Sequence, residues 1–114
     1  MAATSRGLIV RPPWLGRIVL HGKTWEIRGG NTKVRGRIAL VWQGLALGEV
    51  DVVGSFPLTR ALFDAHPELH HVPDWAWVAA RYANPHVWLL ANPQQAMPAR
   101  EVVRKPGQVT WVKL

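Results

Sequence analysis

Cysteine is missing from these 114 residues, which removes disulfides and thiolate metal sites and fits a reducing compartment. No apolar run approaches the ~20 residues of a membrane-crossing helix; Ile38 to Trp42 is among the longest. Met1 to Gly7 is polar with one arginine, and no apolar segment of the signal-peptide kind follows. A cytoplasmic protein without a membrane partner is expected. There is no H-E-x-x-H, no glycine-rich phosphate loop and no G-x-S-x-G elbow. His66 and His70 have i, i+4 spacing, but Pro67 interrupts the helix that would align them. Neither a metal nor a cofactor is expected.

Acidic residues are scarce where basic ones are dense. Residues 1–48 hold eight lysines and arginines against the single acid Glu26, whereas residues 49–114 hold six of each sign. All of the net charge of +7 therefore sits in the first half. Such concentration is the electrostatic footprint of a polyanion partner, although a solubilising surface has the same composition. Tryptophan is abundant, at seven residues. Trp42, Trp88 and Trp111 lie within apolar strands and read as core. Trp75 and Trp77 are two apart, so one helix cannot turn both to the interior.

Periodicity supplies the elements. Gly7–Val10 is a short apolar strand, and residues 1–6 before it read as a flexible end. Pro12 precedes and Pro13 opens a helix over 13–21, since proline is tolerated in a first helical turn; Gly22 stands at the left-handed cap. Thr24–Arg28 alternates as a strand, with Trp25 and Ile27 on one face and Thr24, Glu26 and Arg28 on the other. Turn chemistry at 29–33 leads to strands over 36–43 and 49–53. Helices are expected over 58–66, stopped by Pro67, and over 75–83, capped by Asp74. Strands follow at 86–91, 100–104 and 109–113, with an irregular edge at 92–100. The pattern is that of a small α+β barrel in one domain spanning 7–114.

Gly22-Lys23-Thr24-Trp25-Glu26-Ile27-Arg28 resembles the G-x-K-x-x-E-x-R signature of the ASCH domain family of the PUA-like superfamily. The flanks are similar too: Arg11-Pro12-Pro13-Trp14 before it, Gly36-Arg37-Ile38-Ala39 after it, then Val87-Trp88-Leu89-Leu90, Asn92-Pro93 and Gly107-Gln108-Val109-Thr110-Trp111-Val112. The resemblance covers about Gly7 to Leu114. It implies a PUA-like small β-barrel of five to seven mostly antiparallel strands with two or three short helices. It also implies a cleft beside the first helix, lined by the signature, and RNA binding or enzymes acting on RNA or acylated cytidine.

Each signature side chain suits such a ligand. Lys23 is a point charge for a phosphate, or a base if desolvated. Glu26 can accept an exocyclic amine or a proton, and Arg28 can fork onto a phosphate, a carboxylate or Glu26 itself. Because Lys23 and Glu26 are three apart, they share a cleft only if Lys23 lies in the turn after Gly22. The expected ligand contacts are Lys23, Glu26, Arg28, Trp14, Trp25 and Asn31, with Arg11, Arg17, Lys33, Arg35 and Arg37 on phosphates. The expected ligand is RNA, single-stranded, or a modified nucleoside. An enzyme would use Lys23 and Glu26 as its catalytic groups. Acylcytidine amidohydrolases of the family resemble Lys-x-x-Thr with a threonine nucleophile, and Glu26 occupies that place here, which favours a ribonuclease over that activity. A third reading, a protein-interaction adaptor, rests on exposure of Trp75 or Trp77 and of Leu20.

Overall fold

Prolines and glycines set where the elements begin and end. In the computed structural model, which describes residues 4–103 and 105–114, strand β1 (Arg6–Ile9) runs into Arg11-Pro12-Pro13. Proline has no N–H to continue a ladder. Instead the Trp14 amide donates to the Arg11 carbonyl at 3.0 Å and opens α1 (Trp14–Leu20). Gly22 then adopts a φ of +78°, open to glycine without strain. The amides of His21 and Lys23 both return to the Arg17 carbonyl and close the helix end. Of the expected flexible end, residues 1–3 lie outside the described residues. Thr4 is buried, the Ser5 carbonyl accepts from the Leu114 amide, and Arg6 already belongs to β1.

The chain next lays down β2 (Trp25–Arg28), β3 (Gly36–Trp42) and β4 (Leu45–Pro57). Gln43 and Gly44, at φ +50° and +77°, make a two-residue hairpin whose handedness matches strand twist. The strand expected at 49–53 therefore starts at Leu45. Thr59 caps α2 (Arg60–Ala65), its hydroxyl accepting from the Leu62 amide at 3.1 Å. Pro67 stops α2 as anticipated, but it also occupies the first position of a further turn, α3 (Pro67–His70). The helices thus number four among the described residues, not two or three.

Asp74 opens α4 (Trp75–Arg81), its carboxylate accepting from the Trp77 amide at 3.0 Å. Asp74→Ala leaves that donor without its cap. Chemical denaturation should show a loss of about 1 kcal/mol with an unchanged slope; an unaltered midpoint would mean that the cap contributes nothing.

β5 (His86–Glu101) is one strand where two strands and an irregular edge were expected. Its partner β4 keeps pairing past two prolines because the ladder bulges around them. Asp51 faces Ala91 and Glu49 faces Gln94, so Asn92 and Pro93 together oppose Val50. Between Gly48↔Gln95 and Ala46↔Arg100 the extra residues include Pro98. Arg104, at the end of the strand expected over 100–104, lies outside the described residues. The last strand, β6, is Trp111–Lys113.

The six strands form one sheet in the order β2-β5-β4-β3-β1-β6. Only the β1–β3 pair among them is parallel. The sheet curls into a half-barrel, and Trp88 of β5 stacks on Trp111 of β6 with ring centroids 5.7 Å apart. Inside the curl, Leu8, Val10, Ile38, Leu40, Val50, Val52 and Leu90 pack around Leu15 and Ile18 of α1. On the other side of β2 and β5, Trp25, Ile27 and Val87 meet Phe63, Val72 and Val78 from the helical segment. β2 is thus covered on both faces, which fixes where its charged residues point. Among the described residues no helix is long and apolar enough to cross a membrane.

Candidate functional site

The alternation of β2 puts Glu26 opposite Trp88 of β5, on the inner side of the curl. There Glu26 is buried; its Oε2 accepts a charge-assisted hydrogen bond from Arg28 Nε at 3.0 Å and lies 2.9 Å from Arg28 Nη2 as an ion pair. The same Nη2 also donates to the Ile9 carbonyl at 2.9 Å, tying β2 to the end of β1. Both guanidinium nitrogens approach the same carboxylate oxygen, which leaves Oε1 to face Lys23. The Arg28 guanidinium also lies 5.6 Å from the Trp88 ring.

Lys23 reaches the same place from the turn after Gly22. Its side chain is 1% exposed, and Nζ lies 3.8 Å from Glu26 Oε1. Nζ donates to the carbonyls of Trp25 at 2.7 Å and His70 at 2.5 Å, and sits 5.1 Å from the Trp14 ring. Burial outweighs the attraction of Glu26 and lowers its pKa from 10.5 to about 8. The three charged heads of the signature therefore meet, with Lys23 as a braced wall rather than a free cation.

His70, which supplies one of those carbonyls, is fully buried. Its Nδ1 accepts from the Val72 amide at 2.9 Å, so Nε2 carries the proton and donates to the Phe63 carbonyl at 2.8 Å. Burial pushes its pKa down and keeps the ring neutral. His66 instead meets Glu68 at 3.4 Å on the exposed side.

These groups open into a cleft of about 650 Å³. Its lining adds Ile9, Arg11 to Trp14, Trp42 and Val109 from the strand side, and Trp77, Arg81 and Tyr82 from α4 and its end. Four cationic side chains and one carboxylate are present among the lining residues. Tyr82, the single tyrosine of the chain, packs its ring on the Cα of Gly29; a Cβ there would lie 3.0 Å from Cδ1. Burial raises the Tyr82 pKa, so the hydroxyl remains a donor across the neutral range. Trp77 of α4 turns over the cleft, edge-on to Trp14 at 5.5 Å, while Trp75 packs against Phe63. Leu20 is 59% exposed on α1.

Of the residues singled out from the sequence, Lys23, Glu26, Arg28, Trp14 and Arg11 line this cleft. Trp25 does not: it is buried, edge-on to Phe56 at 5.3 Å. That follows from β-alternation, because a neighbour of Glu26 in the strand must face the other way. Asn31, Lys33, Arg35 and Arg17 are exposed but outside the lining. Arg35 donates to the carbonyls of Thr32 and Val34. Arg37 is engaged by Glu49 at 3.1 Å and Asp51 at 3.4 Å across the β3–β4 ladder, and by the Asn92 carbonyl. Trp42, Tyr82 and Arg81 were not anticipated at the site. Trp77 and Arg81 are four apart on a helix, the one signal that places them together.

No family model matches the sequence, and no curated protein matches it either. Solved structures do share the fold. A crystal structure of a serine-to-alanine variant of ZmASCH from Zymomonas mobilis matches with a TM-score of 0.71 at 13% identity, over 96% of this chain and 87% of that one. A tyrosine-to-phenylalanine variant of the same protein matches with a TM-score of 0.73 at 14% identity, over 98% and 91% of the two chains. The fold is therefore of the ASCH, PUA-like type, in agreement with the signature resemblance.

Proposed function

We propose, with the ASCH-type fold as premise, that this chain binds RNA and that the cleft at Lys23, Glu26 and Arg28 receives an unpaired base or modified nucleoside. The observation that carries this reading is the convergence of an acceptor and several donors on one hollow rimmed by indoles. Glu26 Oε1 is not used by Arg28, and Arg28 Nη1 is likewise uncommitted among the described residues. Together with the Tyr82 hydroxyl they offer the mixed donor and acceptor edge that a base requires. Trp14 and Trp77 supply apolar surface for stacking, and the arginines supply attraction to phosphate. A base already unpaired enters such a hollow without the cost of leaving a duplex, which favours single-stranded RNA over double-stranded.

Fluorescence anisotropy with a labelled single-stranded RNA tests this directly. Binding should be present in low salt and weaken steeply as salt rises. Arg28→Ala should reduce affinity by about tenfold or more, because it removes a donor of the site and frees Glu26 to repel phosphate. Absence of binding in low salt would overturn the proposal.

A second reading, turnover of RNA, is favoured by one observation. Lys23, with its pKa near 8, lies beside a carboxylate, a pairing suited to proton transfer. The bound RNA would then be shortened on a denaturing gel, and Glu26→Gln would abolish the shortening.

A further inference from the structure

Two arginines at the cleft stand over indoles instead of meeting acids. The Arg11 guanidinium lies 5.7 Å from the centroid of the Trp42 ring, and that of Arg81 lies 4.0 Å from the centroid of Trp77. Arg81 Nη1 also donates to the Trp77 carbonyl at 3.1 Å. Both arginines are exposed, and among the described residues neither meets a carboxylate. Arg28, Arg37 and Arg60 each do.

This difference matters for binding. A free surface arginine loses side-chain freedom when it takes a ligand. An arginine already drawn over an indole loses less, while it still offers N–H groups to phosphate oxygens and a planar group for a base. The two pairs belong to walls of different origin. Arg11 follows β1 and Trp42 ends β3, whereas Trp77 and Arg81 come from α4. The signature lies between these walls: Arg28 bonds the Ile9 carbonyl at the first, and Gly29 beside it carries the Tyr82 ring at the second. A volume of about 650 Å³ falls within the roughly 300–1,000 Å³ that encloses drug-sized ligands, which is more room than one base occupies.

We propose that the cleft is a site for about three consecutive nucleotides of a single strand. The central base sits at Glu26, Arg28 and Tyr82, and its neighbours rest on the Arg11–Trp42 and Arg81–Trp77 pairs. The inference builds on the RNA-binding reading of the same cleft and adds the length of the ligand and the residues that measure it.

Competition binding in low salt with a nucleoside, a 5′-mononucleotide and a trinucleotide tests it. The trinucleotide should bind at least about tenfold tighter than the mononucleotide, the order expected for one added stack or charge contact. Arg11→Ala and Arg81→Ala should each weaken the trinucleotide by about tenfold and the mononucleotide by clearly less, so that the advantage of the longer ligand shrinks. Arg81→Lys, which keeps the charge but not the plane, should recover only part of the loss. Equal affinities for the mononucleotide and the trinucleotide would overturn the inference while leaving base binding intact. Substitutions that weaken both ligands alike would do the same. If no ligand of the series binds, the RNA-binding reading itself fails and takes the inference with it.

Discussion

Glu26→Ala lowers the unfolding free energy by about 3–5 kcal/mol at pH 7, the cost of stranding buried charges by removing their partner. The carboxylate is 7% exposed and is the shared counter-charge of Arg28 and Lys23. Without it, an ammonium and a guanidinium remain in one partly desolvated hollow with no anion between them. Lys23 keeps its two backbone carbonyls, but its pKa falls further, because the attraction of Glu26 was the largest influence holding it up. Glu26→Gln preserves shape and an acceptor oxygen and should cost less. The contrasting case is Glu49, whose side chain is 30% exposed beside Arg37. Glu49→Ala should cost at most about 1 kcal/mol. Urea titrations of the three variants decide the matter. A Glu26→Ala loss no larger than that of Glu49→Ala would mean that the signature triad is solvated and imposes no rigid geometry.

Lys23 should pull stability and ligand affinity in opposite directions with pH. Its pKa is about 8 in the folded protein against 10.5 as an ordinary lysine. Between these values the unfolded chain holds a proton that the folded chain lacks. Stability must therefore rise with pH through that window. Below about 8 both states are protonated and the full penalty, on the order of 3 kcal/mol, is present. An anionic ligand favours the ammonium, so affinity should instead fall as pH rises from 7 toward 9.5. The expected loss is several-fold to about tenfold, the order of one charge contact. Lys23→Met removes the titrating group, flattening both trends together. Retention of either trend in Lys23→Met would assign it to another group.

Much of this site was legible in the sequence, and the limits were physical. The signature spacing put Lys23 near Glu26 only if Gly22 made a turn, and its φ of +78° does so. Local alternation put Glu26 and Arg28 on one face of β2, and the same rule consigned Trp25 to the other, where Phe56 meets it. Strand ends were harder to read. Proline at 93 and 98 argues against a strand, yet β5 continues because bulges absorb the extra residues against β4. Arg37 looked available because nothing local pairs with it. Its carboxylates lie on the next strand, and their approach depends on the register that sets Arg37 opposite Asp51. The α4 wall was the part least visible, since Tyr82 joins the site through contact with Gly29, fifty-three positions away in the chain.

The most direct test is a titration of isotope-labelled protein with a short single-stranded RNA, following the indole N–H resonances of its tryptophans by NMR. The account predicts that Trp14, Trp42 and Trp77 shift while Trp25 and Trp75 stay in place, with backbone shifts gathered at Ile27, Arg28 and Tyr82. Shifts centred instead on Arg37, Glu49 and Gln94, with the cleft indoles unmoved, would contradict it.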